Sequence, residues 1–183
     1  MLIAPEHSGR VASMLSNVDS AKLLEMSYEC SDFWGTPGTL LSALRPYVVE
    51  SGTLMIPVKG VLLHDFPYSF FNMATGYEYL WEAVKRGMSD PSVSRIAFII
   101  DSPGGEVAGC FDLVDFIFSF RGQKPMRAFA MEMAASAAYA VASASDDIVV
   151  ARTGAVGSIG VVTAHYDLSL IHISEPTRPR LSS

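Results

Sequence analysis

From Thr53 to Leu62 apolar and polar positions alternate and β-branched residues are frequent, a pattern that predicts a strand with a turn signal near Gly60. Tyr77, Leu80, Trp81 and Val84 then recur at helical spacing, predicting an amphipathic helix closed by Gly87 and the Asp90-Pro91 break. Ile96 to Ile100 is a nearly unbroken apolar run, as expected of a strand covered on both faces. The next stripe, Val107, Cys110, Phe111, Val114, Ile117 and Phe118, starts directly after Gly104-Gly105 and predicts a second helix. A short strand over Met126 to Met131, a helix from Ser136 to Ala144, and strands over Ile148 to Ala151 and Ile159 to Ala164 complete an alternating order. Such alternation favours parallel strands joined by crossovers, so the predicted class is α/β.

The two ends depart from this order. Residues 1–48 mix short helical patterns with turn formers such as Gly35-Thr36-Pro37-Gly38 and read as a leader or peripheral arm. After Tyr166 the core periodicity stops. Leu168 to Arg178 looks like an in-frame translation of a sequencing-library adapter, so residues 168–183 are expected to be a non-native tail.

Composition narrows the function classes. A chain of 183 residues, half of them hydrophobic, can bury one sizeable core, which argues for one domain. The formal charge of −6 and the lack of a Lys/Arg cluster provide no electrostatic footprint for nucleic acid. Cys30 and Cys110 are far apart and form no C-x-x-C arrangement; Cys110 falls on an apolar stripe, so core packing in a reducing compartment is the expected use. Met1 to Arg10 has no apolar signal region, and Ala134 to Ala144 is too short to span a bilayer, so neither a secretory signal nor a membrane anchor is expected. His7, His64 and His172 share no ligand spacing with Asp, Glu or Cys, and no metal or cofactor is expected.

The candidate chemistry lies in Met133-Ala134-Ala135-Ser136-Ala137-Ala138-Tyr139. A serine opening a helix after a strand sits at a sharp turn, its hydroxyl exposed and the next N–H unpaired. Ser136 is therefore a candidate nucleophile, against the alternative of a small residue packing an Ala-rich helix on a sheet. Asp101-Ser102-Pro103-Gly104-Gly105 leaves a strand through glycines, whose lack of a Cβ allows close backbone approach to a substrate. Gly104, Gly105 and Ala137 are the candidate oxyanion and substrate-binding donors, unless the glycines form only a strand-to-helix turn. Gly157-Ser158-Ile159-Gly160 reads as a turn shaping the floor of that site, with Ser102 a linker and Asp101 a cap.

These segments resemble peptidase family S49, the signal-peptide-peptidase-A-like serine proteases of the ClpP/crotonase superfamily, and most of all its phage head-maturation branch. The likeness runs from Gly52 to Tyr166 and includes Met88-Ser89-Asp90-Pro91, Asp101 to Gly105, Val107-Ala108-Gly109, Phe111-Asp112, Ala142-Ser143-Ala144 and Ala151-Arg152-Thr153-Gly154. The resemblance implies a ClpP/crotonase-like spiral of β-β-α units with a mostly parallel sheet, spanning residues 49–167 and incomplete at its C-terminal end. It implies a Ser-Lys serine endopeptidase of a phage or prophage, assembling as a homo-oligomer in the host cytoplasm or procapsid and cleaving scaffold, portal or capsid precursors. Two alternatives stay open, a soluble bacterial signal-peptide-peptidase-like protease and a non-catalytic assembly protein of the same fold. The family's base is a lysine well after the serine, whereas Lys22, Lys59, Lys85 and Lys124 all precede Ser136. No residue matches that lysine, which implies that the polypeptide as it stands is inactive. His165 matches a phage-branch histidine and is a weaker base candidate.

Overall fold

The computed structural model describes residues 38–162. The elements run α1 (Leu40–Leu44), β1 (Val48–Glu50), β2 (Thr53–Leu63), β3 (Ser69–Phe70), β4 (Ala74–Gly76), α2 (Tyr77–Ser89), β5 (Arg95–Gly105), α3 (Cys110–Phe118), β6 (Met126–Ala135), α4 (Ala137–Ser143), β7 (Asp147–Val150) and β8 (Ala155–Gly157). The tail 168–183, His165 and most of the arm 1–48 lie outside the described residues. The part of the arm that is described is tied to the domain: Leu41 and Leu44 are buried, and β1 crosses the expected boundary at residue 48 to pair with β2.

Three long strands, β2, β5 and β6, run parallel and form the backbone of the sheet. Two of them, β2 and β6, change partners part-way along. The first half of β2 pairs antiparallel with β1 and its end pairs parallel with β4. Likewise β6 pairs first with β7 and then, beyond Met133, with β8. The chain is thus an α/β protein with a mostly parallel sheet, in which α2, α3 and α4 lie in sequence between β4, β5, β6 and β7.

The change of partners depends on local backbone chemistry. Gly60, read as a turn signal in the predicted strand, lies within the continuous β2, where the register with β5 shifts between Lys59 and Val61. Its φ is +68°, and a Cβ there would fall 2.1 Å from the Met73 carbonyl, so only glycine lets β4 reach the Val61 N–H.

The core follows from strand alternation. Leu54, Ile56 and Val58 of β2, Ile96, Phe98 and Ile100 of β5, and Ala128 and Ala130 of β6 are buried on one face. That face packs Leu80 and Val84 of α2, Leu113 and Ile117 of α3, and Ala138 and Val141 of α4. On the other face Ala97 is buried and Ile99 partly so, so β5 is fully covered on one side and partly on the other.

Two further expectations need correction. The α3 sequence CFDLVDFIF offers more than one apolar stripe, and the core selects Cys110, Leu113 and Ile117. Phe111 and Phe118, expected inside, are 61% and 53% exposed. The expected strand over Ile159 to Ala164 is not formed in its described part: Gly157 (φ +126°) and Ser158 (φ +53°) turn the chain out of the β6 ladder after β8. Ile159 and Val162 are then left exposed, with no neighbouring strand to pair with among the described residues.

Candidate functional site

The end of β6 passes into α4 through a single residue, Ser136, with φ 53° and ψ −122°. An L-residue in such a conformation costs on the order of 1–3 kcal/mol and persists only where its surroundings hold it. Here the Ser136 N–H donates to the Gly157 carbonyl at 2.8 Å, and the Ser136 carbonyl accepts the first helical bond, from the Ala140 N–H at 3.0 Å. The Ser136 side chain makes no cap bond to its own helix. It borders a cleft of about 310 Å³ lined by Gly105, Val107, Cys110, Ala137, Tyr139 and Ile159 among others. This sharp strand-to-helix turn is the geometry of a nucleophile elbow, in which the hydroxyl is presented away from the backbone that carries it.

Gly104 packs against this turn. A Cβ on Gly104 would lie 2.8 Å from both the Ala135 carbonyl oxygen and the Ser136 Cβ, and 3.1 Å from the Ala137 nitrogen. The glycine, with φ +99°, therefore brings the end of β5 into direct contact with the start of α4. Its own N–H, however, donates to the Ser102 hydroxyl at 3.1 Å. That bond alters the expected role of Gly104, whose amide is held inside the protein.

Gly105 is placed differently. A Cβ on it would meet the Leu62 carbonyl at 1.9 Å, and the next amide, that of Glu106, donates to the same carbonyl at 2.9 Å. Successive N–H groups of a strand point to opposite sides, so with the Glu106 amide directed at β2 the Gly105 amide is directed away from it. Ala137, first residue of α4, has no intrahelical acceptor for its N–H. The structure thus brings Ser136, Gly104, Gly105 and Ala137 together, with Gly105 and Ala137 on the cleft and Gly104 beneath it.

The titratable groups around the cleft are held neutral or tied to backbone. Burial pushes the Cys110 thiol above its ordinary pKa, so it stays protonated and inert although it lines the cleft. Burial, followed by the influence of Cys110, also raises the Tyr77 phenol, whose hydroxyl donates to the Glu106 carbonyl at 2.6 Å. The Glu106 carboxylate accepts the His64 backbone N–H at 2.7 Å, fixing the loop beyond Gly105.

None of the three described lysines is aimed at Ser136. Lys124 donates to the Gly87 and Asp90 carbonyls at 2.8 and 2.7 Å, capping the end of α2. Lys85 lies on α2 beside Glu82, at 3.5 Å. Lys59 has the strand parity of Met55 and Pro57, opposite to buried Ile56 and Val58, and so faces away from the side of the sheet on which α4 packs.

Sequence reasoning missed Ser102, read only as a linker, and the Gly157 carbonyl that anchors the Ser136 amide. The serine–proline–glycine order was visible; that the hydroxyl would be fully buried between two strands was not. Among the described residues no helix is long and apolar enough to cross a membrane.

Residues 119–172 match the profile of peptidase family S49, a stretch that includes Ser136 and overlaps the start of the expected tail. The chain is 39% identical over 122 residues to the head-tail preconnector protein GP5 of Enterobacteria phage P21, covering 66% of this chain and 24% of that protein. It is 40% identical over 125 residues to the capsid assembly protease C of Escherichia phage lambda, covering 66% of this chain and 28% of that protein. The chain therefore spans about a quarter of the length of the curated relatives it matches. A solved enoyl-CoA hydratase from Polaromonas sp. JS666 aligns at 19% identity over 60% of this chain and 49% of that one, with a TM-score of 0.48. Residues 119–172 thus match peptidase family S49, and the chain is similar to two phage proteins at close to 40% identity.

Proposed function

We propose that this chain carries the nucleophile and oxyanion hole of a phage capsid-maturation serine endopeptidase that cuts scaffold, portal or head precursor proteins. The observation that carries the reading is the Ser136 turn, a strained backbone held by Gly157 and Gly104 that presents a hydroxyl to a cleft bordered by two amides without strand or helix partners. The relatives named as a capsid assembly protease and a head-tail preconnector support the choice of substrates.

In this mechanism Ser136 Oγ attacks the scissile carbonyl carbon as a base removes its proton. The carbonyl oxygen becomes an oxyanion and accepts hydrogen bonds from the Gly105 and Ala137 amides. Collapse of the tetrahedral intermediate breaks the C–N bond, the amine leaves with the proton, and water later hydrolyses the acyl-serine. The base is a lysine supplied from outside residues 38–162, since Lys124 and Lys85 are engaged at α2 and Lys59 faces away from α4. Its ammonium must be desolvated to release a proton near neutral pH. Assembly as a homo-oligomer inside the procapsid would concentrate the site on its substrates.

The test is co-expression of the full-length gene product with its scaffold and capsid proteins. The wild type is expected to process them, and Ser136→Ala to leave them uncut. Processing that survives Ser136→Ala would remove the serine mechanism.

A further inference from the structure

Between the paired positions Lys59↔Asp101 and Val61↔Gly104, β2 contributes one residue, Gly60, and β5 contributes two, Ser102 and Pro103. The extra residue makes a bulge, and Pro103 has no N–H with which to continue the ladder. The Gly60 carbonyl would then face β5 with no backbone donor. Ser102 fills this gap. Its side chain is completely buried, its hydroxyl donates to the Gly60 carbonyl at 2.6 Å, and its oxygen accepts the Gly104 N–H at 3.1 Å. Ser102 is also the last residue of β5 paired with β6, opposite Ala134, two residues before the nucleophile.

We propose that Ser102 is a positioning residue for the oxyanion hole: its hydroxyl holds the Gly104 amide inside the bulge, so that the Gly105 amide is the one presented to substrate beside Ala137. This rests on the serine-peptidase reading above. With the hydroxyl present, the 103–104 peptide has one orientation and Gly104 lies against Ser136 and Ala137. Without it, the buried Gly104 N–H and the part-buried Gly60 C=O both lose their partner, and rotation of that peptide relieves them at the expense of the donor geometry next to it. An oxyanion donor acts mainly in the transition state, so its misplacement lowers kcat rather than raising KM.

The experiment compares wild type, Ser102→Ala, Ser102→Thr and Ser136→Ala of the full-length protease on a peptide substrate, with melting temperature measured for each and affinity measured for a peptide boronate and for a cleaved product peptide. Folded Ser102→Ala is expected to lose about a hundredfold in kcat at unchanged KM, in line with removal of one oxyanion donor. Its boronate affinity should fall in parallel while product affinity holds, and Ser102→Thr, which keeps the hydroxyl, should restore both. If Ser102→Ala does not fold, Ser102→Cys replaces it, since the thiol keeps the shape but accepts hydrogen bonds poorly, and the same split is expected. Wild-type kcat in a folded Ala or Cys variant overturns the proposal, as does a loss confined to KM. Residual cleavage by Ser136→Ala overturns instead the reading on which the proposal rests, so the two failures are separable.

Discussion

Gly104 and Ser136 approach so closely that a Cβ on the glycine would stand 2.8 Å from the Cβ of the serine, with the Ala135 carbonyl oxygen at the same distance. Both residues have positive φ, at +99° and +53°, so two unusual backbone segments brace one another across β5 and α4. Gly104→Ala must therefore move one of them. Its left-handed backbone adds roughly 1–2 kcal/mol of strain to the clash. The expected result is a lower melting temperature with a loss of kcat/KM of at least about a hundredfold, as for a misplaced oxyanion donor. Gly122→Ala is the control: its φ is +82°, but a Cβ there meets nothing within 4 Å, so stability should fall with little change in activity. Equal effects of the two substitutions on kcat/KM would show that contact with Ser136 is unimportant.

Lys124 provides a second prediction because its ammonium holds two carbonyls rather than a catalytic group. Hydrogen bonds to charged groups contribute about 1.5–3 kcal/mol each, and Lys124→Met should cost a sum near the lower end of that range because the site is only partly buried. Urea unfolding should show the loss, while kcat stays at the wild-type value. Lys59→Met should likewise leave kcat unchanged, since its strand face is turned away from α4. A collapse of kcat in a stable Lys59 or Lys124 variant would place the base within the described residues.

The loop at the end of α2 predicts a pH dependence of stability. The Tyr47 hydroxyl donates to Asp90 Oδ2 at 3.3 Å, and its pKa is pushed up from 10.0 to about 12 by burial first and by the Asp90 charge second. The unfolded phenol therefore ionises before the folded one. Its contribution to stability is intact below pH 10 and is lost as the pH rises toward about 12. Tyr47→Phe should flatten the decline of the urea midpoint across that window without abolishing it, because Tyr77 and Tyr79 are shifted in the same direction. An unchanged alkaline slope in Tyr47→Phe would contradict the assignment.

On the acid side the sign reverses. Hydrogen bonds from the Ser92 hydroxyl and then its N–H hold the Asp90 carboxyl below its ordinary 3.8. The stabilisation is present above that value and lost as the pH falls below it. Asp90→Asn should remove this acid-limb contribution in the same unfolding experiment.

The sequence made the alternation of β2, the α2 stripe and the small-residue α4 legible, because each is a local pattern with one solution. It misassigned Phe111 and Phe118 because α3 is apolar nearly all round, and only the position of the sheet decides which stripe is buried. It read Gly60 as a turn because a glycine that breaks a strand and one that bulges it look alike until another segment, here Met73 just before β4, is brought beside it. Ser136 and its neighbouring glycines could be found from their order. That the Gly104 amide is engaged by Ser102 depends on a long-range register, Ser102 with Gly60, which no local spacing encodes.

The central claim, that Ser136 works with the amides of Gly105 and Ala137, is tested most directly by a crystal structure of the full-length protease bound to a peptide boronate. The expected complex has a covalent bond from Ser136 Oγ to boron and one boronate oxygen about 2.7–3.1 Å from both of those amide nitrogens. A boronate attached to another residue, or one whose oxygen is held by the Gly104 amide in place of Gly105, would contradict it.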